Sequence, residues 1–369
     1  MESNYKQLGR FIRQIDLRNN DAGLGEDNLY GISVTKEFIV SHANLVDVTF
    51  DSYKIVAPRQ FAYIPDTSRR GDKIAISLNT TGEKIIVSSI CTVFEIVDED
   101  QLLPEYLMLW FMRPEFDRYA RFMSNGSARE VFDWDCMCGV ELPVPSLPEQ
   151  QKIVRDYQVI TDRIELLRRM NSIQEEVIKT LYRKATADSD NEKVTIVVSD
   201  YCRVFTGKKD VNQAVADGKN RFYSCSPTPA RSNDAIYEGK AILVAGNGSY
   251  TGRTTYVDEA FDLYQRTYAL TPINKNCHEL FLIYAALQTD FQEQIESKLH
   301  GSAIPYIVYG DLADFCFDID CEYVSIANNI KDLIYCSIKN NLEIEQLSSL
   351  ANLLLCSLSS TPSVKRSVM

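Results

Sequence analysis

Three histidines, His42, His278 and His300, and ten cysteines are the side chains of this 369-residue chain best suited to metal or nucleophilic chemistry. None of the histidines stands in a metal or nucleophile motif, and no Gly-x-Ser-x-Gly elbow is present. Cys136 and Cys138 form a Cys-x-Cys and Cys277 precedes His278, but no second pair stands at zinc-ligand spacing. Gly246-Asn247-Gly248 invites a phosphate-binding reading, yet GNGSYTGR lacks the lysine and hydroxyl that finish a P-loop, and no β-α-β unit surrounds it. A tight turn at a strand end is the better expectation. The Asn/Asp-Pro-Pro-aromatic motif that holds a flipped base in amino-methyltransferases is absent too. The chain therefore reads as non-catalytic, with no metal site.

What remains is binding chemistry. A net charge of -12 opposes polyanion binding by bulk electrostatics, because neutralising phosphates needs lysine and arginine at the contact surface. Charge is local, however, and Arg69, Arg70 and Lys73, or Lys208 and Lys209, are clusters able to meet phosphates. No stretch approaches the ~18 apolar residues of a membrane span and no signal peptide opens the chain, so a cytoplasmic protein with no membrane contact is expected. In that compartment the scattered cysteines should be reduced and mostly buried.

An internal repeat organises these residues. Gly126-Ser127-Ala128 recurs as Gly301-Ser302-Ala303, an offset of 175. At that offset Tyr106, Leu107, Phe116 and Trp134 fall on Phe281, Leu282, Phe291 and Tyr309, so PEYLMLWFMRPEFDRYARFM matches ELFLIYAALQTDFQEQIESKL. Each stretch reads as an amphipathic helix closing a domain. Downstream the offset becomes 177. There Ile153, Tyr157, Leu167, Met170, Ile173, Val177 and Leu181 fall on Ile330, Ile334, Ile344, Leu347, Leu350, Leu354 and Leu358. From Pro148 to about Lys184, Ile153, Tyr157, Ile160, Ile164 and Leu167 step by four and three, as a coiled-coil seam does. Two long helices packed on each other through these positions are expected.

Between the helices lie β-rich runs: YGISVTKEFIV, YKIVAP, FAYIP, KIAISLN and KIIVSSICTVFEIV in the first half, YCRVFTG, RFYSCSP, KAILVAGNG, TTYV and TYALTP in the second. The predicted class is α+β: two mostly β domains, at 1–147 and 187–322, alternate with two long helices packed as a coiled coil, at 148–186 and 323–360. A tail covers 361–369, and the whole is a pseudo-two-fold repeat.

The junction ELPVPSLPEQQKIVRDYQVITDRIELLRRM resembles the end of a target recognition domain running into the conserved helix of type I restriction-modification specificity subunits, the HsdS family. The LP-x-P-x-LPEQ-x-x-I run and the Arg-Ile-Glu-Leu-Leu helix carry that resemblance. The first domain is similar to one class of recognition domain in SRRGDKIAIS and IIVSSICTVFEI, and the second to another in AILVAGNGSYTGR, so nearly the whole chain is covered. The resemblance implies two domains held apart by antiparallel helices, each reading half of a split, asymmetric site in double-stranded DNA. It also implies partners: two modification subunits, which carry S-adenosylmethionine and methylate adenine, and restriction subunits, which use ATP and Mg. No cofactor falls to this chain. Where the first repeat has LPVPSLPEQ the second has FDIDCEYVS, so equivalence of the two partner-docking faces does not carry over.

Base edges are read by Arg, Lys, Asn, Gln, Ser and Thr on loops. The candidates are Arg69, Arg70, Lys73, Asn79, Thr80 and Thr81 in the first domain, and Lys208, Lys209, Arg221, Tyr223, Asn247, Ser249, Tyr250 and Arg253 in the second. The competing reading is a coiled-coil scaffold that assembles proteins without touching DNA.

Overall fold

The computed structural model describes residues 5–20, 22–41, 49–67, 73–124, 130–187, 192–300 and 304–359, the side chains of 296 and 298 excepted. Both Gly-Ser-Ala anchors lie outside those residues. Two units divide the chain: residues 1–164 with 345–369, and residues 165–344.

In the first unit, short β-branched and aromatic runs form β1 (Tyr5–Gln7), β2 (Ile12–Ile15), β3 (Tyr30–Ile32), β4 (Phe38–Val40) and β5 (Lys54–Val56). They continue as β6 (Phe61–Tyr63), β7 (Ile76–Leu78), β8 (Ile85–Val87) and β9 (Thr92–Ile96). An antiparallel sheet runs β2-β9-β6-β7. Every residue of β6 and β7 is buried, as strands covered on both faces must be. Phe61 stacks on Phe94 across β6 and β9 at 4.8 Å, and Phe111 meets both rings edge-on at 5.8 and 6.3 Å. Phe111 belongs to α1 (Pro104–Met112), which is followed by α2 (Pro114–Met123), α3 (Trp134–Cys138) and β10 (Glu141–Pro143), the partner of β1.

One helix was expected over PEYLMLWFMRPEFDRYARFM; there are two. Proline disfavours the α conformation in the residue before it, and Arg113 is extended, with ψ 137. The second repeat also breaks, without a proline, at Thr289.

After β10 the chain enters α4 (Leu147–Thr186). Gln150, fully buried, clamps its start: Nε2 donates to the carbonyls of Gln101 at 2.9 Å and Pro145 at 2.8 Å, while Oε1 accepts from the Leu103 amide at 2.9 Å. This gives the LPEQ run a physical role, since a buried amide with three of its bonds made fixes where the helix leaves the domain.

The second unit adds β11 (Lys193–Val197), α5 (Val198–Tyr201), β12 (Cys202–Thr206), β13 (Asn220–Tyr223), β14 (Ala230–Ser232), β15 (Tyr237–Ala245), β16 (Thr254–Leu263) and β17 (Thr267–Pro272). Then come α6 (Glu279–Gln288), α7 (Asp290–Lys298), α8 (Tyr309–Ala313), β18 (Cys316–Asp320) and α9 (Val324–Ser357). Its sheet runs β12-β17-β15-β16-β13-β14. The first four strands take the places of β2-β9-β6-β7, and β11 pairs with β18 as β1 does with β10. Helices α6, α7 and α8 follow α1, α2 and α3 at offsets of 175, 176 and 175. The repeat is thus a repeat of topology, with β13 and β14 added in the second copy.

Helices α4 and α9 pack together in antiparallel sense. Within the second unit, Asn171 Nδ2 donates to Asn341 Oδ1 and Asn340 Nδ2 to Asn171 Oδ1, both at 2.8 Å, and Ser337 Oγ donates to Gln174 Oε1 at 2.6 Å. In the first unit, Leu355 and Leu358 enter the core against which Ile153, Val154 and Tyr157 also pack. The buried face of α4 passes through Ile160, Ile164, Leu167, Ile178 and Tyr182, with half-buried Asn171 and Gln174 between. Four seam assignments need correction. Met170, Ile173 and Val177 are 38%, 64% and 39% exposed, and Leu350 is 46% exposed. The seam keeps its three-four step by accepting polar residues one position on, where they bond across the pair.

The cysteines differ from expectation as well. All ten are free thiols, but only Cys91, Cys202 and Cys277 are buried.

Candidate nucleic-acid interface

In the first domain Arg69 and Arg70 lie outside the described residues, while Lys73 is exposed. Asn79 is 1% exposed, and its side chain is spent on its own turn and on the neighbouring strand β5. Nδ2 donates to the Val56 and Glu83 carbonyls at 2.9 and 2.8 Å, and Oδ1 accepts from the amide and hydroxyl of Thr81 at 3.0 and 2.8 Å. As a base reader Asn79 is therefore withdrawn: it shapes the turn. Exposed Thr80 and Thr81 line a recess of about 560 Å³ whose wall includes Glu37, Glu105 and Asp162, carboxylates that disfavour a phosphate nearby.

The second domain gathers its candidates more tightly. The β15–β16 connection is the tight turn expected of Gly-Asn-Gly: Gly248 has φ +82, Thr251 N donates to Gly248 O at 3.1 Å, and Gly252 N donates to Ala245 O at 2.8 Å. This turn presents exposed Ser249 and Tyr250, with Arg253 folded back so that its guanidinium sits 5.5 Å over the Tyr250 ring. Arg253 Nη2 donates to the Ser226 carbonyl at 2.5 Å, and burial shifts the guanidinium down from the ordinary arginine value. Asn247 Oδ1 accepts from the Cys225 thiol at 3.1 Å.

Lys208 and Lys209, adjacent in sequence, part company. Lys208 is exposed, with no hydrogen bond or ion pair among the described residues. Lys209 Nζ lies 2.7 Å from Asp234 and 2.6 Å from Asp262 and is held as a structural cation. Arg221 and Tyr223 converge on Glu259, at 3.5 and 2.6 Å, in a recess bounded by Ile338, Asn341 and Leu342 of α9. Lys209, Arg221 and Tyr223 thus serve the domain's own packing rather than a free surface.

Sequence reasoning passed over Gln265 and Arg266. Both are exposed, on the turn from β16 to β17. They line a recess of about 260 Å³ with Asn247, Tyr268, Tyr306 and Val308. The available signal was a polar dipeptide between two β-rich runs. Among the described residues no three His, Cys, Asp or Glu side chains gather as a metal site, and no helix is long and apolar enough to cross a membrane.

Residues 188–319 match the family model of the type I restriction modification DNA specificity domain. The specificity subunit of the type I restriction enzyme EcoDI of Escherichia coli is 34% identical over 125 residues, 32% of this chain and 26% of that protein. The MjaIX specificity subunit of Methanocaldococcus jannaschii is 31% identical over 88 residues, 24% of this chain and 20% of that one. The matched stretch thus spans about a quarter or less of either curated relative. Among solved structures, the type I restriction-modification S subunit from M. genitalium shares the fold, with a TM-score of 0.60 at 14% identity over 96% of this chain and 95% of that one.

Fold and site define a duplicated α+β protein with a DNA-specificity domain in its second half. Its second half is similar to the DNA specificity domains of type I restriction-modification specificity subunits, and the fold of the whole chain is like that of a solved S subunit.

Proposed function

We propose that this chain is the DNA-reading subunit of a type I restriction-modification complex, lending sequence specificity to catalytic partners and performing no chemistry itself. The observation that carries the reading is the match of residues 188–319 to a DNA specificity domain, in a chain whose first half repeats the same sheet order with different loops. Two domains with one frame and unlike loops suit a site of two unlike halves, because frame residues position and loop residues specify. Lys73 with Arg69 and Arg70 on the first domain, and Lys208, Asn247, Ser249 and Tyr250 on the second, are the assigned contacts. In this reading two modification subunits supply S-adenosylmethionine and methylate adenine, restriction subunits supply ATP- and Mg-dependent cleavage, and the assembly works in the cytoplasm.

Exchanging residues 5–143 for the equivalent domain of a subunit with another specificity tests it. In a complex with the modification partner, the exchange should change one half of the methylated motif and leave the other half intact. Methylation at an unchanged motif would refute the assignment.

A further inference from the structure

We infer that Arg266 reads a guanine in the half-site of the second domain, by a forked contact to the O6 and N7 edge. The inference rests on the function proposed above and adds a residue to it.

A base-reading arginine needs an unspent guanidinium on a backbone that does not move. The turn Tyr264–Thr267 closes with Thr267 N donating to Tyr264 O at 3.0 Å, and it is pinned from three neighbouring segments. Gln265 N donates to Lys209 O, Tyr264 N to Tyr223 O and Gly246 N to Arg266 O, each at 2.9 Å. The Cys225 sulfur packs 3.4 Å from the Arg266 carbonyl. A Cβ at position 246 would collide with that same carbonyl, so the close approach that fixes the turn demands glycine there. Such pinning lowers the entropy lost when the side chain docks.

The guanidinium itself is free. Arg253 is committed to the Ser226 carbonyl and Arg221 faces Glu259, whereas Arg266 is exposed and has no side-chain hydrogen bond or ion pair among the described residues. Its surroundings suit a base more than a phosphate. The recess beside it is walled by Asn247 and by Tyr306, which is 41% exposed and stacked on His300 at 5.5 Å. Arginine takes guanine O6 and N7 together, and the amide and ring beside it offer the polar and flat surfaces a neighbouring base needs.

The test uses the complex with its modification partner carrying R266A or R266K. Both changes fall on an exposed turn, and unchanged thermal melting is the control. The inference predicts that R266A relaxes one guanine position of the second half-site by about 10- to 100-fold, with the first half and the spacing unchanged. R266K should not restore it, since lysine lacks the fork. A uniform loss of affinity with the motif intact and the salt slope reduced by about one would make Arg266 a phosphate contact and overturn the inference. An unchanged motif with unchanged affinity would overturn it as well. If the unmodified complex produced no bipartite motif at all, the parent reading would fall instead.

Discussion

Lys209 donates to Ser232 Oγ at 2.9 Å while bridging Asp234 and Asp262, and Asp262 is only 4% exposed. Burial pushes the Asp262 carboxyl up, but hydrogen bonds from Lys209, Ser232 and the Leu263 amide outweigh it and hold the group below its usual value of 3.8. Bonds to Asp234 and then Asp262 raise the Lys209 ammonium above its usual 10.5. The stabilisation from Asp262 is therefore present above pH ~4 and lost as pH falls through its lowered value, while that from Lys209 is present below pH ~10 and lost as pH rises through its raised one. K209A should cost about 3 kcal/mol at pH 7, because it strands a buried carboxylate, and the penalty should shrink toward acid pH as Asp262 takes up a proton. Urea melts at pH 7 and pH 4 check this; a loss under 0.5 kcal/mol would show the pair to be inert. None of it is legible in the sequence, where Lys208-Lys209 reads as a phosphate pair. Adjacency says nothing of acids 25 and 53 residues away. Asn79 misleads for a similar reason: asparagine in a turn serves its own backbone as readily as a ligand.

The long helices were legible in length, because a sustained three-four apolar step has few other readings, while their antiparallel sense came only from the family resemblance. Their middle was not. Following apolar residues alone leads from Leu167 to Met170, Ile173 and Val177, whereas the buried face goes to Asn171 and Gln174, which bond across to Ser337, Asn340 and Asn341. A polar layer in an apolar seam costs stability and fixes register. L167A, at 1% exposure, should lose about 2–4 kcal/mol, while I173A, at 64%, should stay within ~0.5 kcal/mol. Equal losses in thermal melts would put the seam back on the apolar positions. Replacing Asn171 and Asn340 together by leucine should raise the melting temperature while admitting slipped pairings, seen as broadened or doubled amide resonances; one sharp set would show that the layer does not specify register.

For the whole molecule, duplication was the feature most visible in sequence, and it survives even though both Gly-Ser-Ala anchors lie outside the described residues. Offsets of 175 and 176 between helices α1–α3 and α6–α8, and the shared sheet order, carry it independently. The loops that would choose bases were the least legible, since their roles depend on partners brought close only by folding, as Gly246 and Cys225 are to Arg266. A net charge of -12 leaves binding to local cations, so affinity should fall with salt in proportion to the few phosphates contacted. The most direct measurement is the methylome of a host carrying this chain with its adenine-methylating partner. The account predicts one asymmetric motif in two parts with a fixed spacer. An active partner that leaves no such motif would contradict the account.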